Sequence, residues 1–161
     1  MSYNVDVDGD GTWDAVDAHH NPDGSVDLVH HDAHGNVDFV GHDYNHDGLV
    51  DDAEYHNADG TTDHWRDTNH NGWLDHERSD RNEDGYTDEV GIDANEDGSL
   101  DHIWQDNNYN GVYDTYGQDR NYDEHIDLVA YDHNENGIAE DVYADNNYNG
   151  TFETVIHPIG G

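Results

Sequence analysis

Glycine recurs along this chain at Gly11, Gly24, Gly35, Gly48, Gly60, Gly72, Gly85, Gly98, Gly111, Gly137 and Gly150, mostly thirteen residues apart, and Glu124 fills the one vacant slot. Such a period marks an internal repeat. Thirteen residues hold one turn and one short strand, but not a loop flanked by two helices. Acids and amides keep step with the glycines. If the unit is numbered 1 to 13, it reads approximately Asp-x-Asn/Asp-x-Asp/Asn-Gly-x-Φ-Asp-x-Val-x-x, with Φ apolar or Thr. Side-chain oxygens stand at 1, 3, 5 and 9, glycine at 6. Twelve units cover nearly the whole chain from Asp6, as one tandem-repeat domain over residues 1–161 with units from about 6 to 157.

Nine units carry every side-chain oxygen. They are Asp6, Asp8, Asp10 and Asp14; Asp43, Asn45, Asp47 and Asp51; Asp67, Asn69, Asn71 and Asp75; Asp80, Asn82, Asp84 and Asp88; Asp93, Asn95, Asp97 and Asp101. The series continues with Asp106, Asn108, Asn110 and Asp114; Asp119, Asn121, Asp123 and Asp127; Asp132, Asn134, Asn136 and Glu140; Asp145, Asn147, Asn149 and Glu153. Three units are weaker: Asn21, Asp23 and Asp27; Asp32 and Asp38; Asn57, Asp59 and Asp63. In these His19, His30 and Tyr55 fall at or beside position 1, and neighbouring acids such as Asp17 or Glu54 are the substitutes available.

Oxygens on alternate residues ahead of a glycine suit a hard cation. Ca²⁺ takes six to eight oxygens at about 2.3–2.6 Å. A tightly curled backbone brings side chains 1, 3 and 5 to one centre, glycine at 6 permits the sharp turn, the carbonyl at 7 faces the ion, and the acid at 9 closes the shell. At these residues the chain resembles proteins with tandem Asp-rich calcium loops, and the loop is similar to those of EF-hands, dockerins, thrombospondin type 3 repeats and integrin-type propellers. Asp43, Asn45, Asp47, Gly48 and Glu54 match a full EF-hand loop with its twelfth-position Glu. The resemblance implies Ca²⁺ as cofactor, about nine to twelve ions. It carries over no fold, because the EF-hand helices do not fit the period and the cysteines of thrombospondin repeats are absent.

Charge argues the same way. Forty Asp and Glu face four Lys and Arg, a formal net charge of −36. A compact body so charged repels itself. Acidic, poorly apolar chains stay disordered unless something neutralises them, and metal that binds only the fold supplies folding free energy. A metal-free state without fixed structure, gaining β-structure with calcium, is the expectation.

Between the loops, position 8 reads Trp13, Val26, Val37, Val50, Thr62, Leu74, Thr87, Leu100, Tyr113, Ile126, Ala139 and Phe152, and position 11 is equally rich in Val, Ile and aromatics. These residues favour strands. The chain is therefore read as an all-β repeat protein. The preferred architecture is a calcium-stabilised β-solenoid of about twelve loop–strand units, and the alternative is an antiparallel β-meander. A faint super-repeat of three units, Asp106–Gly111 against Asp145–Gly150, favours winding. Positions 8 and 11 are three apart and would face opposite sides of a flat strand. Either both faces are covered or the strand bends near position 9.

The remaining residues exclude more than they suggest. There is no cysteine, so disulfides and thiolate sites are out. No stretch reaches the length of a membrane helix, and the N-terminus lacks the regions of a signal peptide. Nucleic acid and anionic lipid are poor partners for so acidic a chain. The fifteen His sit mostly at positions 2, 4, 10 and 13, read as solvated, with His19/His20 and His30/His31 the densest pairs and the place for a secondary transition-metal site. No catalytic motif is present, and no enzyme is expected. The expected role is a calcium-rigidified structural repeat, a secreted or cell-surface spacer or filament subunit forming homo-oligomers or end-to-end filaments. Alternatives are a calcium-dependent carbohydrate- or protein-binding module and a calcium buffer.

Overall fold

The computed structural model describes residues 3, 5–7 and 12–157, so Asp8 and Asp10 of the first loop lie outside the described residues. The described chain is all β, with twelve strands in sequence order: β1 (Asp17–His20), β2 (Val26–His31), β3 (Val37–Asp43), β4 (Asp52–His56), β5 (Thr62–Arg66), β6 (His76–Asp80), β7 (Glu89–Ile92), β8 (His102–Gln105), β9 (Thr115–Gln118), β10 (Leu128–Tyr131), β11 (Asp141–Ala144) and β12 (Thr154–Ile156). It divides into two compact units, Met1–Glu77 and Arg78–Gly161. In the first, β1 to β5 pair antiparallel, each with its sequence neighbour. In the second, β7 to β12 do the same.

This is the pairing of the meander and not of the wound solenoid preferred from the super-repeat. The reason lies in how each loop closes. The N–H at position 9 donates to the carbonyl just before position 1, as in Asp51 to His42 (2.8 Å), Asp101 to Ile92 (2.8 Å) and Asp127 to Gln118 (2.8 Å). That bond lays the returning strand beside the one just left, in the plane of the sheet.

The question of positions 8 and 11 resolves in both ways at once. Val50 and Ala53, at 8 and 11 of one unit, belong to one apolar cluster, so the chain does bend at position 9. In the C-terminal unit, Val90, Tyr116 and Val142 share one cross-strand row with Trp104, Ala130 and Ile156, whereas Ile103, Val129 and Val155 share the adjacent row, on the other face. Successive units thus turn their position 11 residues to opposite faces. On that face Ile126 lies over Gly117, its Cγ2 at an ordinary contact distance of 3.6 Å from where a Cβ would stand.

The N-terminal unit differs. β2 and β3 are longer, and Val26, Leu28, Phe39 and Ala53 are fully buried on one face beneath Tyr3 and Val5. The Phe39 ring meets Tyr55 edge-on at 5.1 Å and folds over Gly41. The Tyr3 hydroxyl donates to Asp43 at 2.8 Å, tying the N-terminal segment to the loop that begins there. Among the described residues no helix is long and apolar enough to cross a membrane.

Candidate metal centres

The loops beginning at Asp43, Asp67, Asp80, Asp93, Asp106, Asp119, Asp132 and Asp145 share one geometry. Position 6 has positive φ throughout, from Gly48 (94°) to Gly150 (80°), and Glu124 holds the same region at 70°. Position 4 is left-handed as well, although it never carries glycine in these eight: His46, His70, Glu83, Glu96, Tyr109, Tyr122, Glu135 and Tyr148 lie at φ 57–64°. Two left-handed residues two apart curl the backbone so that its N–H groups point inward, the anion-binding nest.

The position 1 aspartate occupies that nest. Its Oδ2 accepts the N–H of position 6, for example Gly98 to Asp93 (2.8 Å), Glu124 to Asp119 (2.8 Å) and Gly150 to Asp145 (2.7 Å). Its Oδ1 takes the N–H of position 4, as in His46 to Asp43 (2.6 Å) and Tyr148 to Asp145 (2.7 Å). Position 5 accepts from the N–H of position 7, at 2.9 Å in Leu49 to Asp47 and Ser99 to Asp97. The position 9 acid accepts the N–H of position 2, as in Tyr44 to Asp51 (2.8 Å), Ala94 to Asp101 (2.7 Å) and His133 to Glu140 (2.7 Å). The first loop repeats this last bond, Val7 to Asp14 at 2.8 Å.

Burial inverts the usual rule. Asp43, Asp67, Asp93, Asp106, Asp119 and Asp145 at position 1, and Asp51, Asp75, Asp88, Asp101 and Asp127 at position 9, are all buried. They make up eleven of the fourteen buried polar residues among those described, whereas Ala144 is the one buried apolar residue described in the C-terminal unit. Burying so many carboxylates is costly, and hydrogen bonds, protonation or counter-charge must offset it. Four Lys and Arg in the whole chain cannot supply the counter-charge. At Asp101 burial pushes the carboxyl above its usual range, and the charges of Asp93 and Asp97 in the same loop add to this against the N–H groups of Ala94 and Asn95. At Asp145 burial acts in the same direction, but the N–H groups of Gly150, Tyr148, Asn147 and Thr151 outweigh it and hold the group low.

In several loops the position 3 amide stands against the position 9 acid, whereas Asn82, Asn95 and Asn121 donate to the position 5 acids Asp84, Asp97 and Asp123. Asn45 Nδ2 donates to Asp51 (3.1 Å), Asn69 to Asp75 (3.1 Å), and Asn134 and Asn147 to Glu140 and Glu153. As placed, no three Asp, Glu or His side chains among the described residues clasp a common point. The donor set nonetheless fits a hard cation: carboxylates and amides only, with an amide N–H, a partial positive charge, lodged against the closing acid. Turning that amide over presents Oδ1 in its place. Glu54 does not join Asp43; β4 carries it beside His64, 3.5 Å away.

The three weaker units build a different turn. Residues 21–25, 32–36 and 57–61 are tight hairpins, with Asn21 N–H donating to Ser25 O (2.9 Å) and Gly24 N–H to Asn21 O (3.1 Å), and the same pair of bonds in the other two. His19, His30 and Tyr55 lie on β1, β2 and β4. The acids here are served by side-chain donors. Asp23 and Asp59 are lowered by the hydroxyls of Ser25 and Thr61, Asp27 by Asn21 and then His42, and Asp32 to about 2 by Asn36. His30 pairs with Asp38 at 2.6 Å.

In four of the complete loops the side chains at positions 2 and 10 pair across the loop. Arg81 bonds Glu89 (2.5 Å), Asn107 bonds Thr115 (2.8 Å), Asn146 bonds Thr154 (2.7 Å) and His133 bonds Asp141 (3.1 Å). The signal was available, since each pair is chemically complementary at a fixed spacing of eight. Loops leaving the same sheet edge are also joined. Asp106 N–H donates to Asp88 O (2.7 Å) and Asp132 N–H to Asp114 O (2.8 Å) on one edge of the C-terminal unit; Asp145 N–H donates to Asp127 O (2.8 Å) on the other. There Arg120 Nη2 also reaches Asp145 O (2.7 Å), with its guanidinium over the Tyr148 ring.

Comparison with protein-family models, with curated proteins and with solved structures gives no match.

Proposed function

We propose that this is a calcium-binding structural repeat protein whose nine complete loops each take one Ca²⁺, and that it serves as a spacer, surface or filament subunit where calcium is millimolar. The observation that carries the reading is the burial of paired aspartates at positions 1 and 9, loop after loop, in a chain almost without cationic side chains. Nine divalent ions add eighteen positive charges and halve the formal −36. If free calcium stands at about 100 times the dissociation constant, each independent site stabilises the fold by about 2.7 kcal/mol. A few sites then match the usual net stability of 5–15 kcal/mol.

Extracellular modules of this chemistry bind at about 10⁻⁴–10⁻³ M, above cytosolic calcium, which supports a secreted or cell-surface location. The outer edge of β12, where Val155 and Ile156 are half exposed, supports assembly of copies by strand addition. Titration calorimetry on EDTA-stripped protein, followed in parallel by circular dichroism, tests the reading. The expected result is about nine ions bound with a gain of β-signal. Heats of dilution alone, with an unchanged spectrum, would remove it.

A further inference from the structure

In the C-terminal unit, the loops 106–114 and 132–140 leave the same sheet edge, one hairpin apart, about 9.5 Å by the spacing of two strands. Glu135 stands at position 4 of the second loop, held at φ 57° by the nest it helps to form. Its side chain does not serve its own loop. Oε1 accepts the amide of Asn108 at 2.7 Å and the amide of Asn110 at 2.7 Å, which are positions 3 and 5 of the neighbouring loop. Asn108 otherwise reaches its own closing acid, Asp114, only at 3.4 Å. By contrast, Asn45 and Asn69 turn their amides to their own position 9 acids at 3.1 Å.

We propose that Glu135 is a positioning residue for the calcium site of loop 106–114. It holds the NH₂ groups of Asn108 and Asn110 outward so that their Oδ1 atoms are offered to the ion. This rests on the calcium reading above and adds to it a coupling between neighbouring sites. An amide has one acceptor and one donor end, and a ligand amide whose donor end is already engaged has no half-turn to make when the ion arrives. The loop is therefore preorganised by its neighbour. Groups behind a ligand set commonly govern metal affinity by 10–100-fold. The coupling also has a direction: folding of loop 132–140 readies loop 106–114.

The experiment is a calcium titration of the full chain by ¹⁵N NMR, read at the position 6 amides, each of which reports its own loop: Gly111 for loop 106–114, Gly137 for 132–140, and Gly98 and Gly150 for the opposite edge. Two variants separate reach from charge. Glu135→Asn tolerates the left-handed backbone but is too short to span the loops, whereas Glu135→Gln keeps the reach and an acceptor oxygen but loses the charge. The expected result is that E135N raises the Gly111 midpoint about tenfold, leaves Gly98 and Gly150 where they were, and shifts the Asn108 and Asn110 side-chain NH₂ signals, while E135Q restores the Gly111 midpoint to within about threefold. An E135N midpoint at Gly111 within twofold of the wild type overturns the inference and leaves the calcium reading standing. So does an equal shift at every loop, which is general destabilisation. A wild-type Gly111 signal that does not respond to calcium at all removes the calcium reading itself.

Discussion

Asp101→Asn gives opposite signs according to whether a cation belongs in these loops. Asp101 is almost wholly buried, and both of its backbone hydrogen bonds, from Ala94 (2.7 Å) and Asn95 (3.1 Å), end on the same oxygen, Oδ2. An asparagine can place its Oδ1 there and keep both. What it loses is charge, beside Asp93 and Asp97. Without a cation the substitution relieves like-charge repulsion, worth about 0.7 kcal/mol for unit charges about 6 Å apart in water, so the variant gains stability. With calcium it weakens a ligand. At free calcium about 100 times the wild-type dissociation constant, a tenfold weaker site contributes about 1.4 instead of 2.7 kcal/mol, and a hundredfold weaker one about 0.4. The loss is about 1.3–2.3 kcal/mol, a fall in Tm of about 3–9 °C for a chain of this size. Melts followed by circular dichroism at fixed free calcium read this directly. A D101N chain that melts at or above the wild type in millimolar calcium refutes the reasoning.

Three other outcomes are expected. Gly98→Ala meets no atom within 4 Å, so its cost is that of a side chain at φ 94°, about 1–2 kcal/mol; Gly41→Ala has ordinary φ but puts a Cβ 2.7 Å from Phe39 Cζ, costing about 1–3 kcal/mol, and urea melts should show Phe39→Leu recovering part of the G41A loss and none of the G98A loss. Tyr55 is pushed up to about 12 by burial, with the charge of Asp6 adding to it, so its contribution is complete below pH about 10 and disappears as pH rises through about 12; burial pushes Tyr3 up to about 12 as well, so absorbance at 295 nm should show a late-ionising phase that Tyr55→Phe reduces, and a late phase unchanged in that variant would contradict this. Val155→Lys places a charge beside the open edge of β12 and should abolish any calcium-dependent increase in particle length seen by electron microscopy or light scattering, without moving the melt; unchanged assembly would exclude β12 as the contact.

The strands and the location of the loops were legible because glycine and β-branched residues mark them directly. Gly48, Gly98 and Gly150 announce a positive φ, and Val90, Ile103 and Val129 announce strands. The sense of winding was not legible, since it depends on one backbone bond, position 9 back to the residue before position 1, which no side chain encodes. The second left-handed residue was hidden because His46, Glu96 and Tyr148 are unusual occupants of that region. They are held there by the aspartate that gathers their N–H groups. The weaker units could be picked out by position 1 but not re-read as tight hairpins, because Asn21 and Asn57 fit both turns. The last residue of the EF-hand-like stretch from Asp43 to Glu54 lies on β4, beside His64. Without a following helix, a strand carries Glu54 to the sheet face.

The alternation of faces follows from an odd repeat length. Had the period been even, every copy would send its valines to the same side, and that side would demand a second layer. With thirteen, each duplication lands the new residues on the face its predecessor left bare. Unlike the N-terminal unit with its cluster around Phe39, the C-terminal unit has no apolar interior to enlarge. It can be lengthened or shortened by whole copies without redesigning anything already built, and under the calcium reading proposed above the limit on its length is the supply of ions and not the volume of a core.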